Sequence, residues 1–250
     1  MRPIAMCIVL GSSSLTLAQG LPVFTDTFDS APSPLWSNTR GDWATANGEY
    51  FAQAPGNNPA TVTSVPFVLG DLDLDLDVLS VSDGGVWLHL NEAENSGVLL
   101  VTGGFGHTGT GFYFHVMTNG SYSPVYAQTP PLFNQGDDLH LTIRVRGSVY
   151  RVYLNGSAQP VAEFAHSEPL VGRIGLYDFT VGGQRFDNIV LVNPCLGDFN
   201  NSGGTPDDAD VVAFFEAWSN GHPLADLNRS GGTPDDADVA AFFERWNNGC

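Results

Sequence analysis

The sequence predicts a mainly β chain. An antiparallel two-sheet sandwich is expected over residues 21–193, followed by a small α-helical repeat domain over residues 195–250. Three observations carry this prediction. Apolar and polar residues alternate with period two through most of the first region, the mark of strands with one face buried and one face wet. The 29 Gly and 16 Pro supply many turns and no long amphipathic helix interrupts them, which suits an all-β arrangement. A near-identical duplication closes the chain and points to two repeated loop–helix units.

Composition narrows the function classes. The 250 residues hold 27 Asp and Glu, 9 Arg and no Lys, for a formal charge of -18. Binding a phosphate backbone needs clustered cations, so nucleic acid is excluded as a partner, and an anionic bilayer is disfavoured on the same ground. A hydrophobic content of 42% is ample for a packed core.

The first twenty residues read as a secretory signal peptide. Arg2 precedes a short apolar run, Ile4 to Leu10, and small residues follow to a cleavage site near Ala18. The run is too short to span a membrane, and no later stretch reaches the required ~20 apolar residues. The alternative is an N-terminal strand. Export implies a secreted or cell-surface protein without membrane insertion. Cleavage would remove Cys7 and leave Cys195 and Cys250, an even pair expected to form a disulfide outside the cell.

The strands follow in order. Leu72, Leu74, Leu76 and Val78 alternate with Asp71, Asp73, Asp75 and Asp77. Val86, Leu88 and Leu90 alternate with Trp87 and His89, and Phe112, Phe114 and Val116 with Tyr113 and His115. Leu141, Ile143 and Val145 alternate with Thr142, Arg144 and Arg146, and Tyr150, Val152 and Leu154 with Arg151 and Tyr153. Asp83-Gly84-Gly85, Asn119-Gly120 and Asn155-Gly156 supply turns between them. A jelly-roll sandwich is the natural architecture. The acidic run at 71–77 reads as a solvated strand face, because nothing on an open face raises one carboxyl above another.

Residues 195–250 carry eight Asp and two Glu against two Arg. Asp198-Phe199-Asn200-Asn201-Ser202-Gly203-Gly204-Thr205-Pro206-Asp207-Asp208-Ala209-Asp210 returns 28 residues later as Asp226 to Asp238. Phe214, Phe215 and Trp218 match Phe242, Phe243 and Trp246, a stripe that reads as the shared core of two helices. Each loop offers oxygens at alternate positions: Asp198, Asn200, Ser202 and Asp210, then Asp226, Asn228, Ser230 and Asp238. Gly203 and Gly231 supply the sharp turn. An all-oxygen set without His or thiolate suits calcium, one ion per loop. The closing carboxylate falls one residue later than in a twelve-residue EF-hand loop, and Ser stands where that pattern has a third acid. A competing account has Thr205 as N-cap, Pro206 at the first helical position, and Asp207, Asp208, Asp235 and Asp236 as helix-start acids.

A duplicated Asp-x-Asn-x-Ser-Gly loop running straight into a short helix resembles a bacterial type I dockerin domain. The resemblance covers residues 195–250. It implies two calcium ions on the ligands just named and docking onto a cohesin-like scaffold protein. The inserted residue and the two Phe-Phe pairs depart from the dockerin pattern.

Residues 21–193 resemble concanavalin-A-like, laminin-G-like jelly rolls. The carriers are Asp26-Thr27-Phe28-Asp29, Gly41-Asp42-Trp43 with Asn47-Gly48-Glu49, Gly172-Arg173-Ile174-Gly175-Leu176 and Phe186-Asp187-Asn188-Ile189. The resemblance implies paired first and last strands with a structural calcium nearby, for which Asp29 and Asp187 are candidates; the residues themselves read equally as turn-capping acids. Some enzymes of this fold hydrolyse glycans with a Glu-x-Asp-x-x-Glu strand. That spacing is absent, and no catalytic residue is nominated.

Trp87, His89, Tyr113, His115, Arg144, Arg151 and Tyr153 alternate with aliphatics and are expected to face away from the core. If their strands are neighbours, they form an aromatic and polar sheet face suited to stacking and hydrogen bonding a polysaccharide or other glycan, with Tyr122 and Tyr126 as a rim. The same residues also read as ordinary outer-sheet side chains. The expected function is an exported, noncatalytic glycan-binding or adhesion-type protein with a calcium-dependent docking tail. The alternative is a polysaccharide hydrolase borne on that tail.

Overall fold

Fourteen strands and two α-helices are built from the described residues of the computed structural model, which are 22–103, 110–179, 183–200, 205–228 and 230–249. The strands are β1 Pro22–Asp26, β2 Trp43–Ala46, β3 Glu49–Ala52, β4 Thr63–Ser64, β5 Leu72–Leu79, β6 Gly84–Leu90 and β7 Gly97–Val101. They continue with β8 Tyr113–Thr118, β9 Ser121–Tyr122, β10 Leu139–Arg146, β11 Val149–Leu154, β12 Ala162–Ala165, β13 Arg173–Asp178 and β14 Arg185–Val192. The helices are α1 Asp208–Ser219 and α2 Asp236–Asn248.

The strands form two antiparallel sheets. The larger has the order β12-β11-β10-β5-β14-β3-β2, with β1 added alongside β14. The smaller runs β4-β13-β6-β7-β8-β9. First and last strands pair, as the resemblance implies. The alternation in β5, β10 and β11 explains the layering. Leu72, Leu74, Leu76, Leu141, Ile143, Val145, Tyr150 and Val152 all point into one core, facing Val86, Leu88, Phe112, Phe114 and Ile174 from the opposite sheet.

Three sequence expectations need correction. Trp87 and Tyr113 do face away from this core, yet they are 0% and 7% exposed. Chain from residues 57–62 meets Trp87, and its Ala60 and Val62 join Trp87, Leu99, Tyr113 and Tyr177 in a second apolar cluster. The Trp87 indole donates to the Thr61 carbonyl at 3.4 Å, and the Tyr177 hydroxyl donates to Asn57 Oδ1 at 3.1 Å. Period-two patterning reports which side a residue faces, and says nothing of what later covers that side.

His89 faces the interior. Gly175 pairs with Trp87 but Arg173 pairs with Leu90, so two residues, Leu88 and His89, oppose the single Ile174. This β-bulge puts His89 at φ 51° and reverses the alternation beyond it, so Leu90 joins the outer cluster. Gly172 is required here, because a Cβ would collide with the His89 backbone. The His89 ring is 3% exposed, with Nδ1 2.6 Å from the Tyr150 hydroxyl and Nε2 2.7 Å from the Gly70 carbonyl. Burial lowers its pKa from 6.5 to about 4.

The acidic run of β5 is not a solvated face. Asp73 is 0% exposed and Asp75 9%. Asp71 Oδ1 accepts from Gly147 N–H at 2.7 Å, Asp73 pairs with Arg146 at 2.8 Å, and Asp77 pairs with His140 Nδ1 at 2.8 Å. The Thr142 hydroxyl donates to Asp75. Strand β10 lies antiparallel beside β5 and offers His140, Thr142, Arg144 and Arg146 on that side, so acids face cations and hydroxyls across the ladder.

Among the described residues no helix is long and apolar enough to cross a membrane. The expected signal peptide, residues 1–20, lies outside the described residues.

Candidate functional site

The outer face of the larger sheet carries a depression of about 380 Å³. Its walls come from four adjacent strands: Val190 on β14, Asp75 on β5, His140, Thr142 and Arg144 on β10, and Tyr153 on β11, with Ser157 from the turn after β11. Antiparallel register sets this grouping. Arg144 lies opposite Arg151, and Thr142 lies opposite Tyr153 on one side and Asp75 on the other. The Arg144 guanidinium sits over the Tyr153 ring, 5.0 Å from its centroid. Neighbouring charges are already matched. Arg146 holds Asp73, and Arg151 holds Glu163 at 2.7 Å. Arg144 makes no hydrogen bond or ion pair to the described residues, and its Nε is buried without a partner.

The seven residues expected to share one glycan face are therefore divided. Arg144, Arg151 and Tyr153 stand together on the larger sheet. Trp87, Tyr113 and His115 belong to the smaller sheet on the opposite side of the sandwich, and His89 lies between the sheets. The His115 ring is half-buried, with Nδ1 2.7 Å from the Ser123 carbonyl and Tyr113 and Tyr122 packed against it. Burial pushes the Tyr122 hydroxyl up to about 12 and that of Tyr113 higher still. Asp75, His140 and Thr142 were missed as site residues. The signal was present: Asp at every second position of one strand and His-x-Thr-x-Arg-x-Arg at every second position of another are complementary rows.

In the sandwich, Asp29 accepts from the Thr27 hydroxyl at 2.9 Å, and Asp187 accepts from the backbone N–H of Asn188 at 2.7 Å. Burial raises the Asp187 carboxyl, and the charges of Asp77, Asp29 and Glu49 add to the effect.

Where both are described, the two C-terminal loops make the same bonds. Asp210 Oδ1 accepts from Asn200 N–H at 3.0 Å, and Asp238 Oδ1 accepts from Asn228 N–H at 2.9 Å. Asp210 Oδ2 accepts from Asp207 N–H and Asp238 Oδ2 from Asp235 N–H, each at 2.8 Å. Asp207 and Asp235 are the N-caps, and each forms a capping box with the acid three residues on. The cap thus falls two residues later than Thr205. Asp208 and Asp236 lie in the first turn, where they favour the helix dipole. In the second loop Asp226 Oδ1 accepts from Ser230 N–H at 3.1 Å and Oδ2 from Gly231 N–H at 3.0 Å, so the chain curls around that carboxylate. The donors are hard oxygens throughout, which fits a calcium ion by chemistry. Among the described residues no three His, Cys, Asp or Glu side chains converge on one point. Ser202 and Cys250 lie outside the described residues; Cys195 is 6% exposed.

A carbohydrate-binding module from Bacillus subtilis (CBM66) has a similar structure, with a TM-score of 0.55 at 17% identity, over 64% of this chain and 96% of that one. The sandwich has the jelly-roll, concanavalin-A-like fold. A prokaryotic β-1,3-1,4-glucanase derived from a mouse hindgut metagenome aligns with a TM-score of 0.48 at 13% identity, over 68% of this chain and 98% of that one. The exoplasmic domain of VIP36, in a calcium- and mannoside-bound form, aligns with a TM-score of 0.47 at 11% identity, over 67% and 87%. No protein-family model and no curated sequence matches the chain.

Proposed function

We propose that this chain is an exported, noncatalytic glycan-binding protein whose jelly roll holds a saccharide on the outer face of its larger sheet and whose tail is a calcium-folded, dockerin-like docking unit. The observation that supports the first part most strongly is the Arg144–Tyr153 stack beside the Asp75–Thr142 pair. A sugar needs an aromatic face for its C–H groups, donors and acceptors for its hydroxyls, and a concave wall; all three occur within one depression. The fold shared with a carbohydrate-binding module is consistent with this use.

The tail reading rests on the twin loops. Each places an acid at its start and another at its end whose oxygens take loop N–H groups. A divalent ion would be held by Asp198, Asn200, Ser202 and Asp210, and by Asp226, Asn228, Ser230 and Asp238. It would supply the positive charge that lets these carboxylates share a short loop. A disulfide between Cys195 and Cys250 would clasp the unit's ends, and a cohesin-like scaffold protein is the proposed partner.

Affinity electrophoresis of the full chain through gels containing different polysaccharides tests the glycan reading. Retardation by at least one polysaccharide without release of reducing ends is the expected result. Release of reducing ends that one Asp or Glu substitution abolishes would replace it with the hydrolase reading.

A further inference from the structure

A second place on the sandwich has the chemistry of a sugar site, away from the Arg144–Tyr153 depression. It lies where β12 at the edge of the larger sheet approaches β8 and β9 of the smaller one. The chain after β9 turns back along β8. Ser123 N–H donates to the Val116 carbonyl at 2.8 Å, and Tyr126 and Phe114 exchange N–H to carbonyl bonds of 2.9 Å in both directions. These bonds fix the backbone of Tyr126 at the sandwich edge.

Its ring is fixed as well. Phe164 of β12 lies between Phe114 and Tyr126, with centroids 5.3 Å apart on each side and planes tilted 24° and 27°. Phe114 and Phe164 are buried, and Tyr126, the outermost ring of the stack, is 41% exposed. An aromatic ring that is backed by two others loses little freedom when a ligand lies on it.

The ring borders a trough of about 500 Å³. Thr118, Ser121, Ser123, His166 and Ser167 supply its polar groups beside the apolar Val116, Tyr122 and Ala165, and among the described residues no carboxylate or guanidinium reaches the lining. In a chain of formal charge -18 that absence selects the occupant. Among the described lining residues only the His166 imidazole, whose Nδ1 is taken by the Glu168 backbone, could carry a positive charge; a carboxylated sugar would find no guanidinium here, and a cationic peptide would find no acid. Hydroxyls around a fixed aromatic floor suit an uncharged saccharide, its C–H face on Tyr126 and its hydroxyls on the Ser and Thr side chains.

We propose that this trough is a second saccharide-binding site, specific for uncharged sugars and independent of the first; the two share no lining residue. The inference rests on the reading of the sandwich as a glycan binder and adds a site to it. Two sites on one domain would raise the avidity for a polysaccharide above that for a short oligosaccharide.

The test is calorimetric titration of the full chain with a neutral oligosaccharide taken from whichever polysaccharide retards it. Two sites per chain are expected. Tyr126→Ala should remove one, leave the Tyr153-dependent one, and weaken polysaccharide binding at least tenfold. Ser121→Trp, from an exposed position, should fill the trough with the same result if Tyr126→Ala disturbs folding. One site per chain, lost with Tyr153→Ala and untouched by both trough variants, would overturn this inference and leave the glycan reading intact. A preference of the trough for uronate over neutral oligomers would also overturn it. No binding of any glycan would overturn both.

Discussion

The Phe214 and Phe242 rings lie parallel, 4.2 Å between centroids with planes 1° apart, one from each helix of the tail. Both are fully buried, and Phe199 stands edge-on to the pair. The repeat extends outward from them. The Trp218 indole donates to the Asp235 carbonyl and the Trp246 indole to the Asp207 carbonyl, each at 3.0 Å. Each helix thus holds the N-cap residue of the other. Phe242→Ala should destabilise this pair of helices by about 3–5 kcal/mol, the usual cost of emptying a buried Phe site. Hydrogen exchange should show protection lost in residues 208–248 and kept in the sandwich. Uniform loss over the whole chain would show that helices and sandwich unfold as one unit.

The proposed calcium ions would sit in the loops that lead into these helices. Chelation should unfold the tail and leave the strands folded, because ion-binding free energy is part of that unit's folding free energy. Asp210→Ala removes a carboxylate that closes the loop onto Asn200 as well as the capping box, whereas Asp207→Ala removes only the cap. The first should weaken calcium binding more. Equal effects in a calcium titration would show that Asp210 serves the helix alone.

Two buried groups set the pH dependence of the sandwich. Burial holds the Asp178 carboxyl at about 8, against 3.8 in the unfolded chain, and the Asp83 charge adds to the shift. The folded state therefore keeps a proton that the unfolded chain has released, and stability falls as pH rises from about 4 to about 8. His89 works in the opposite sense. Its pKa of about 4, against 6.5 unfolded, means that stability falls as pH drops below 6.5. The two slopes oppose each other between these limits, and only the Asp178 slope persists above pH 6.5. The urea midpoint should change little from pH 5 to 6.5 and fall from 6.5 to 8. Asp178→Asn should abolish that fall; a fall that survives the substitution would remove Asp178 from the account.

Arg146→Ala leaves the Asp73 carboxylate buried without its cation. Asp73 is 0% exposed, but the arginine is partly solvated, so the expected loss is about 2–3 kcal/mol, below the full cost of breaking a buried pair. The urea midpoint of the sandwich measures it. Asp73→Asn in the same background should recover part of the loss.

Much of this architecture was legible in the sequence. The alternation in β5, β10 and β11 placed Leu74, Ile143 and Val152 inward correctly, and the duplicated tail announced two helices with Phe214 and Phe242 between them. What stayed hidden was non-local. Nothing near Trp87 signals that residues 57–62, some thirty positions earlier, will cover it. His89 turned inward because one strand has an extra residue relative to its partner, which the pattern of a single strand cannot show. Arg144, Arg151 and Tyr153 were correctly put on an outer face, because neither a bulge nor a covering loop intervenes between β10 and β11. The pairing of the β5 acids with His140, Thr142 and Arg146 emerges only when β5 and β10 are laid side by side.

The central claim, that a saccharide lies against the Arg144–Tyr153 stack, is tested most directly by calorimetric titration of the full chain and of Tyr153→Ala with the same oligosaccharide. The account predicts measurable binding to the unaltered chain and, in the variant, loss of the Tyr153-dependent heat or a drop in affinity of about tenfold, the scale of one aromatic contact. Identical isotherms for the two proteins, at equal folded fraction, would contradict it.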